Sequence, residues 1–274
     1  MVRISVVTLA GREVASLVAG GEWTKCDICS RIPGFGGPSL RAARLIYNGA
    51  EVSQETSLSS LDVEDGACFQ LALDMRGVVD LLTASTDCTA KLWNAESGEC
   101  LRTLEGHGGQ VFSATFSPDG TLFLTASFDH TAKLWSAESG QCLRTLEGHD
   151  GAVTTAVFSL DGRQVLTASW DRTAKLWAAD CGACVRTLEG HAGIVRSATF
   201  SPDGAQVRTA SFDHTAKLWS AGLGECLRTM GHGGRVTSAA FSPSGVQVLT
   251  ACSDGIARLW NAESGECIRT LHGH

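Results

Sequence analysis

The chain has 274 residues, 43% of them hydrophobic, and a formal net charge of -7 with Lys and Arg scattered along it. That leaves room for one large domain or two smaller ones, and the lack of a basic stripe with interleaved aromatics argues against nucleic acid as a ligand. The opening MVRISVVTLAGREV is interrupted by Arg3 and Arg12 and no run of 18 apolar residues occurs, so the expectation is no membrane, no secretory signal and a cytoplasmic setting, with the nucleus left open.

Ile4 to Leu9 alternates, Ala10-Gly11 turns the chain, and Arg12 to Val18 returns as a second strand. Thr24, with Asp27 three positions on, has the form of a capping box. Ile28 and Ile32 share a helix face, and Pro33 with the glycines at 34, 36 and 37 ends that helix after about two turns. Arg44 to Gly49 reads as strand plus turn, Ser57 to Leu61 as a short turn, and Cys68 to Met75 as a last strand.

From residue 78 the texture changes. Gly-His pairs end at His107, His149, His191, His232 and His274, tryptophans sit at Trp93, Trp135, Trp177, Trp219 and Trp260, and each complete copy places its Trp 28 residues after its His. Within one copy, Val111 to Ser117, Thr121 to Ser127, Thr131 to Trp135 and Gln141 to Leu146 are short runs separated by Pro118-Asp119-Gly120, Phe128-Asp129-His130 and Glu138-Ser139-Gly140. Four antiparallel strands in about 42 residues make one propeller blade, which covers its faces only by stacking on its neighbours.

The GH…TASxD…KLW elements resemble the WD-repeat family over roughly residues 78–274, although Asn94, Ser136, Ala178, Ser220 and Asn261 stand where the family usually has Asp after Trp. The resemblance implies a hydrogen-bonded chain from Asp to His to hydroxyl to indole in each copy. Its members are His107, Thr125, Asp129 and Trp135; His149, Thr167, Asp171 and Trp177; His191, Thr209, Asp213 and Trp219; and His232, Thr250, Asp254 and Trp260. Whether the Thr or the Ser of each Thr-Ala-Ser (Cys252 in the last) takes part is left open. A Ser-His-Asp triad is the enzymatic alternative, but a catalytic set occurs once and this one recurs in every copy. No catalytic residue is assigned.

Residues 2–77 resemble the ubiquitin-like β-grasp domain through Thr8-Leu9-Ala10-Gly11, Arg44-Leu45-Ile46-Tyr47-Asn48-Gly49, Ser57-Leu58-Ser59 and Leu71 to Gly77. Arg76-Gly77-Val78 lacks the second terminal Gly of ubiquitin, and Ala50 stands at its main chain-building Lys, so the resemblance implies a built-in domain and no modifier. Its apolar partner patch would map to Leu9, Ile46 and Ala72.

Eleven cysteines do not make a disulfide framework. Cys100, Cys142, Cys184, Cys226 and Cys267 share one repeat position and read as small apolar residues of the outermost strand. Cys26-Cys29 and Cys181-Cys184 lack two further ligands at zinc spacing, so no metal and no cofactor is expected.

The expected fold is therefore mainly β: an α+β ubiquitin-like domain over 1–77, then a WD-repeat propeller over 78–274 with a partial blade at 78–106. The full repeats are 107–148, 149–190, 191–231 and 232–273. Residues 68–75 could alternatively supply the missing inner strand of the partial blade, and missing C-terminal blades or a second chain could complete the ring. Phe128, Trp170, Arg172 and Phe212 flank the turn Asp residues near one rim and are the residue types that anchor interfaces. The expected function is a non-catalytic scaffold or adaptor for other proteins, the alternative being a small ligand or modified peptide in the channel.

Overall fold

A computed structural model describes residues 80–95 and 97–272 in full and, before them, the backbone of five strands. These strands are β1 (Val2–Thr8), β2 (Glu13–Ala19), β3 (Ala43–Tyr47), β4 (Ala50–Glu51) and β5 (Ala67–Leu73). They form one sheet in the order β2-β1-β5-β3-β4, with β1 antiparallel to β2 and parallel to β5, and β3 antiparallel to both β5 and β4. The short β4 was not foreseen in the sequence. The helix expected over residues 24–32 lies outside the described residues. Because β5 is paired on both sides within this sheet, it cannot also be the inner strand of the first blade.

Five further sheets follow in chain order. The first has three strands, β6 (Asp80–Ala84), β7 (Ala90–Asn94) and β8 (Cys100–Leu104). The second comprises β9 (Val111–Phe116), β10 (Leu122–Ser127), β11 (Ala132–Ser136) and β12 (Cys142–Leu146). The third comprises β13 (Val153–Phe158), β14 (Gln164–Ser169), β15 (Ala174–Ala178) and β16 (Cys184–Leu188). The fourth comprises β17 (Val195–Phe200), β18 (Gln206–Ser211), β19 (Thr215–Ser220) and β20 (Cys226–Gly231). The fifth comprises β21 (Val236–Phe241), β22 (Gln247–Cys252), β23 (Ile256–Asn261) and β24 (Cys267–His272). Each is an antiparallel meander, because connections of a few residues allow only hairpin pairing.

Register explains which side chains meet. In the second sheet Phe123 pairs with both Phe116 and Trp135, and Leu124 with Leu134. The period-2 alternation of a strand then sends Phe123 and Trp135 to one face and Leu124 and Leu134 to the other. Leu124, Ala126, Ala132, Leu134 and Leu146 pack against Val153, Ala156, Val165 and Trp177 of the third sheet. The same junction recurs between the third and fourth sheets and between the fourth and fifth. In the junction between the first and second sheets, Ala90, Leu92 and Leu104 receive Val111, Phe123 and Trp135. Each buried Trp removes on the order of 200 Å² from water, worth roughly 5 kcal/mol at about 25 cal/mol per Å², so the junctions contribute a large share of the stability of each sheet.

The repeated outer-strand arginines tie the junctions at their edge. The Arg102 Nε donates to Ala137 O at 3.2 Å, Arg144 Nη2 to Asp180 O at 3.3 Å, Arg186 Nε to Gly222 O at 2.7 Å and Arg228 Nε to Glu263 O at 2.8 Å. In each case the acceptor lies in the next sheet. The cysteines of those strands correct the sequence reading: Cys100, Cys142, Cys184, Cys226 and Cys267 are exposed, each with Sγ 3.5–3.6 Å from the carbonyl two residues on. Each starts the outermost strand, opposite the Trp at a shift in the pairing, whereas in the first four sheets the Leu or Met toward the other end of that strand is buried in the junction, as Leu146 is.

Candidate functional site

The turn joining the second and third strands of each sheet carries the chemistry. In the third sheet, Asp171 Oδ1 accepts from Thr173 N at 2.8 Å and Thr173 Oγ1 at 2.7 Å, while Oδ2 accepts from His149 Nδ1 at 2.6 Å and Asp150 N at 3.2 Å. With Nδ1–H donating to the carboxylate, His149 Nε2 accepts from Thr167 Oγ1 at 2.7 Å, and that hydroxyl accepts from Trp177 Nε1 at 2.8 Å. The second sheet repeats the set with His107, Thr125, Asp129 and Trp135, and the fourth with His191, Thr209, Asp213 and Trp219. The hydroxyl is that of Thr. Ser169 Oγ instead donates to Gly151 O at 2.9 Å and accepts from Asp171 N at 3.1 Å, pinning loop to turn. Thr125 and Thr167 are fully buried with the oxygen already engaged by a ring nitrogen and an indole, so no substrate atom can reach it.

Charge follows this geometry. Burial pushes the Asp129 and Asp213 carboxyls up, but the hydrogen bonds from Thr131 or Thr215, from the histidine and from a backbone N–H outweigh it, holding both at about 2. Asp171 is held lower still by the same balance. Burial lowers the imidazoles of His107 and His191, and their aspartates only partly restore them.

The fifth sheet departs from this arrangement. His232 Nε2 keeps its bond to Thr250 at 2.7 Å, and Trp260 Nε1 donates to Thr250 Oγ1 at 2.9 Å. However, His232 Nδ1 lies 3.1 Å from Met230 O, and Asp254 Oδ2 takes Arg258 Nη1 at 3.0 Å. The expected link between His232 and Asp254 is therefore replaced. Ile256 stands where the other copies have a Thr hydroxyl, and Arg258, in place of Lys, is long enough to claim the carboxylate. In the first sheet, Trp93 Nε1 donates to Thr83 Oγ1 at 2.8 Å.

This framework fixes the rim. His130, Arg172 and His214 follow the turn Asp residues at φ of 69–72°, and Gly255 holds the same position in the fifth sheet at 77°. A left-handed conformation costs a side chain about 1 kcal/mol that Gly does not incur, so three copies keep a strained imidazole or guanidinium on the surface. Loop and turn also touch closely. A Cβ on Gly151 would lie 2.7 Å from Asp171 N, which leaves Gly the only residue that fits.

On this rim Phe128 and Trp170 are 44% and 43% exposed, and Phe112 of β9 is exposed beside them. The three rings touch one another: Phe128 and Trp170 edge to face at 5.5 Å, Phe112 and Phe128 at 6.2 Å, and Phe112 nearly parallel to Trp170 at 6.5 Å. Arg172 is exposed on the same turn. Phe212 is half-buried beneath the Arg235 guanidinium, 5.2 Å from its ring, and so stands apart from the trio. Phe112 and Arg235 were not picked out from the sequence. Each belongs to the loop or strand after a Gly-His, and only the turn-to-loop pairing (Phe128 N to Gln110 O at 2.8 Å, Ser253 N to Arg235 O at 2.8 Å) brings them to the rim. Leu9 lies outside the described residues, and Ile46 and Ala72 fall on β3 and β5.

A shallow cleft of about 260 Å³ lies elsewhere, lined by Leu122, Leu134, Leu143, Arg144, Ala179 and Asp180. It sits toward the outer strands of the second and third sheets, away from the inner strands where a ligand in a channel would bind. Among the described residues no group of three or more His, Cys, Asp or Glu is placed to hold a metal, and no helix is long and apolar enough to cross a membrane.

The family model described as "WD domain, G-beta repeat" matches residues 98–136, 140–178, 182–220 and 224–261. Each matched segment takes the outer strand of one sheet and three strands of the next, so one sequence unit spans one junction. Residues of the chain are 58% identical over 31 positions to the probable E3 ubiquitin ligase complex SCF subunit sconB of Talaromyces stipitatus, covering 11% of this chain and 5% of that protein. They are 50% identical over 40 positions to the F-box-like/WD repeat-containing protein TBL1X of Mus musculus, covering 15% and 8%. They are 35% identical over 84 positions to the guanine nucleotide-binding protein subunit beta of Saccharomyces cerevisiae, covering 30% and 20%. The chain thus spans one-fifth or less of each of these curated relatives.

Proposed function

Since this chain belongs to the WD-repeat family, we propose that it works as a non-catalytic scaffold that holds protein partners on the rim formed by Phe112, Phe128, Trp170 and Arg172. The observation that carries this reading is the aromatic trio. Two Phe and a Trp in mutual contact, each about two-fifths exposed, have no packing role left to fill, because the core of each sheet is already closed by Trp135, Trp177 or Trp219. Aromatic residues beside an Arg are the usual anchors of a protein interface. Two relatives are named as a probable subunit of an SCF complex and a guanine nucleotide-binding protein subunit beta, which fits a chain that works in assemblies.

The same proposal includes residues 1–77 as a built-in ubiquitin-like domain with a second contact patch at Leu9, Ile46 and Ala72. What supports it is that the strands expected at residues 4–9, 12–18, 44–49 and 68–75 are present and join in one sheet, of order β2-β1-β5-β3-β4. The two regions would then recruit different partners to one chain.

The test replaces Phe112, Phe128 and Trp170 by Ser in the full chain and compares the proteins recovered by cross-linking with those recovered by wild type. A Leu160→Ser chain, changed at an exposed leucine of a turn at the other end of the third sheet's strands, is the control. Loss of specific partners from the triple variant alone supports the rim. An identical set of partners from all three chains would remove it.

A further inference from the structure

We propose that the junction between the fourth and fifth sheets binds a carboxylate, held by the Arg208 guanidinium beside Phe241. The second strand of a sheet places one residue in the middle of the face that receives the next sheet. That residue is Leu124 in the second sheet and Leu166 in the third, both without solvent contact. In the fourth sheet it is Arg208, paired with Thr199 of β17 and Leu218 of β19. Directly paired residues share a face. Leu218 belongs to the core shared with Val236, Val248 and Trp260 of the fifth sheet, so Arg208 and Thr199 also face that sheet.

Arg208 is 6% exposed, and Phe241 lies against its guanidinium. Nε and Nη1 are buried, and no acceptor among the described residues meets them. The remaining nitrogen, Nη2, is neither bonded nor sealed from solvent, so the guanidinium reaches from the interior of the junction to its surface. The two acids nearest in sequence are engaged elsewhere, Asp203 with Ser201 and Ala205, and Asp213 with His191 and Thr215. Burial is the single cause that lowers the pKa of Arg208, and no carboxylate opposes it.

A guanidinium offers only donors, and a buried charge without a partner is costly. A carboxylate is its complement, planar, able to accept two parallel N–H bonds and carrying one charge against one. A phosphate dianion would bury a surplus negative charge, and a neutral ligand would leave the cation unpaired. Thr199 Oγ1, whose bond to Phe200 O is a long 3.5 Å, stands on the same face as a further donor. The carboxylate of a small acid and that of a peptide chain end share this chemistry. Either would hold the fifth sheet against the fourth. Phe241 ends β21 and Arg235 precedes its start, so the site lies at the opposite end of that strand from the rim and is independent of the proposed partner surface.

The test titrates the full, isotopically labelled chain with sodium acetate, against sodium chloride at equal ionic strength, and follows the Arg208 Nε–H signal. Acetate should shift it saturably and chloride should not. Amide exchange in β21 and β22 should slow about elevenfold at about ten times the acetate dissociation constant, as mass action requires of a ligand that binds only the closed junction. That slowing should vanish in Arg208→Leu, which carries the side chain of the second and third sheets and so keeps the junction packed. Triglycine with a free C-terminus, run beside its C-terminal amide, separates the sources. Binding no tighter than acetate marks a small acid, and tighter binding that the amide loses marks a chain end. No saturable shift with either carboxylate, a shift that chloride matches, or exchange that acetate slows equally in Arg208→Leu would overturn the proposal.

Discussion

The Arg208 guanidinium lies 5.3 Å from the ring of Phe241, between the fourth and fifth sheets, at a register position filled by Leu124, Leu166 and Leu249 elsewhere. It is 6% exposed, and its Nε and Nη1 have no protein partner. Burial lowers it to about 10, so it still carries its charge at neutral pH. A cation over a ring recovers only part of the cost of leaving water. Replacing buried charge by an apolar side chain of similar volume is commonly stabilising by about 1–4 kcal/mol. Arg208→Leu should therefore raise the melting temperature by several degrees, read by circular dichroism. A lower melting temperature would mean that the guanidinium has a partner that holds this junction together.

The aspartates are not equivalent. Asp171 receives four hydrogen bonds, one from His149, while Asp254 is held by Arg258 and makes no bond to His232. Removing the acceptor of a buried, charge-assisted bond costs about 1.5–3 kcal/mol. Asp171→Ala should fall in that range, and Asp254→Ala should cost clearly less. Equal losses in matched denaturation curves would contradict the difference in geometry.

Stability should fall in two stages as pH is lowered. His107, His191 and His232 sit below the ordinary 6.5, so the unfolded chain takes protons first, and stability present above about pH 6.5 is lost as pH falls beneath it. Asp129 and Asp213 are held at about 2 against an ordinary 3.8, so their contribution is complete above roughly pH 4 and is lost on the way down to about 2. A melting-temperature profile that is flat from pH 7 to 4 would exclude the histidine stage.

Gly151→Ala should disturb the rim without opening the core. The new Cβ would meet Asp171 N at 2.7 Å and the Trp170 backbone at 3.0 Å, so the turn must move. The expected outcome is a shifted Trp170 indole signal in the nitrogen-proton spectrum with Trp135 and Trp219 unchanged. A Trp170 signal that stays in place would show that loop and turn are farther apart.

Most of the fold was legible because one junction is written four times. The spacing from Gly-His to Trp exposes the unit, and period-2 alternation in runs such as Val111 to Ser117 gives the strands. What a single copy does not contain was not legible. Phe112 reaches Trp170 only because consecutive sheets sit side by side. The exposure of Cys142 depends on a shift in the pairing opposite Trp135, which no single run of residues announces. The redirected Asp254 did have a signal in Ile256 and Arg258, but its effect depends on which side chain reaches the carboxylate first.

The most direct test of the repeated framework is hydrogen exchange at the indole nitrogens. The indoles of Trp135, Trp177 and Trp219 are buried and donate to Thr125, Thr167 and Thr209, whereas Trp170 lies on the exposed rim. The first three should exchange only on opening of their sheets, over hours, while Trp170 exchanges within the dead time of the experiment. Exchange of Trp177 as fast as Trp170 would mean that the sheets do not cover one another in this way.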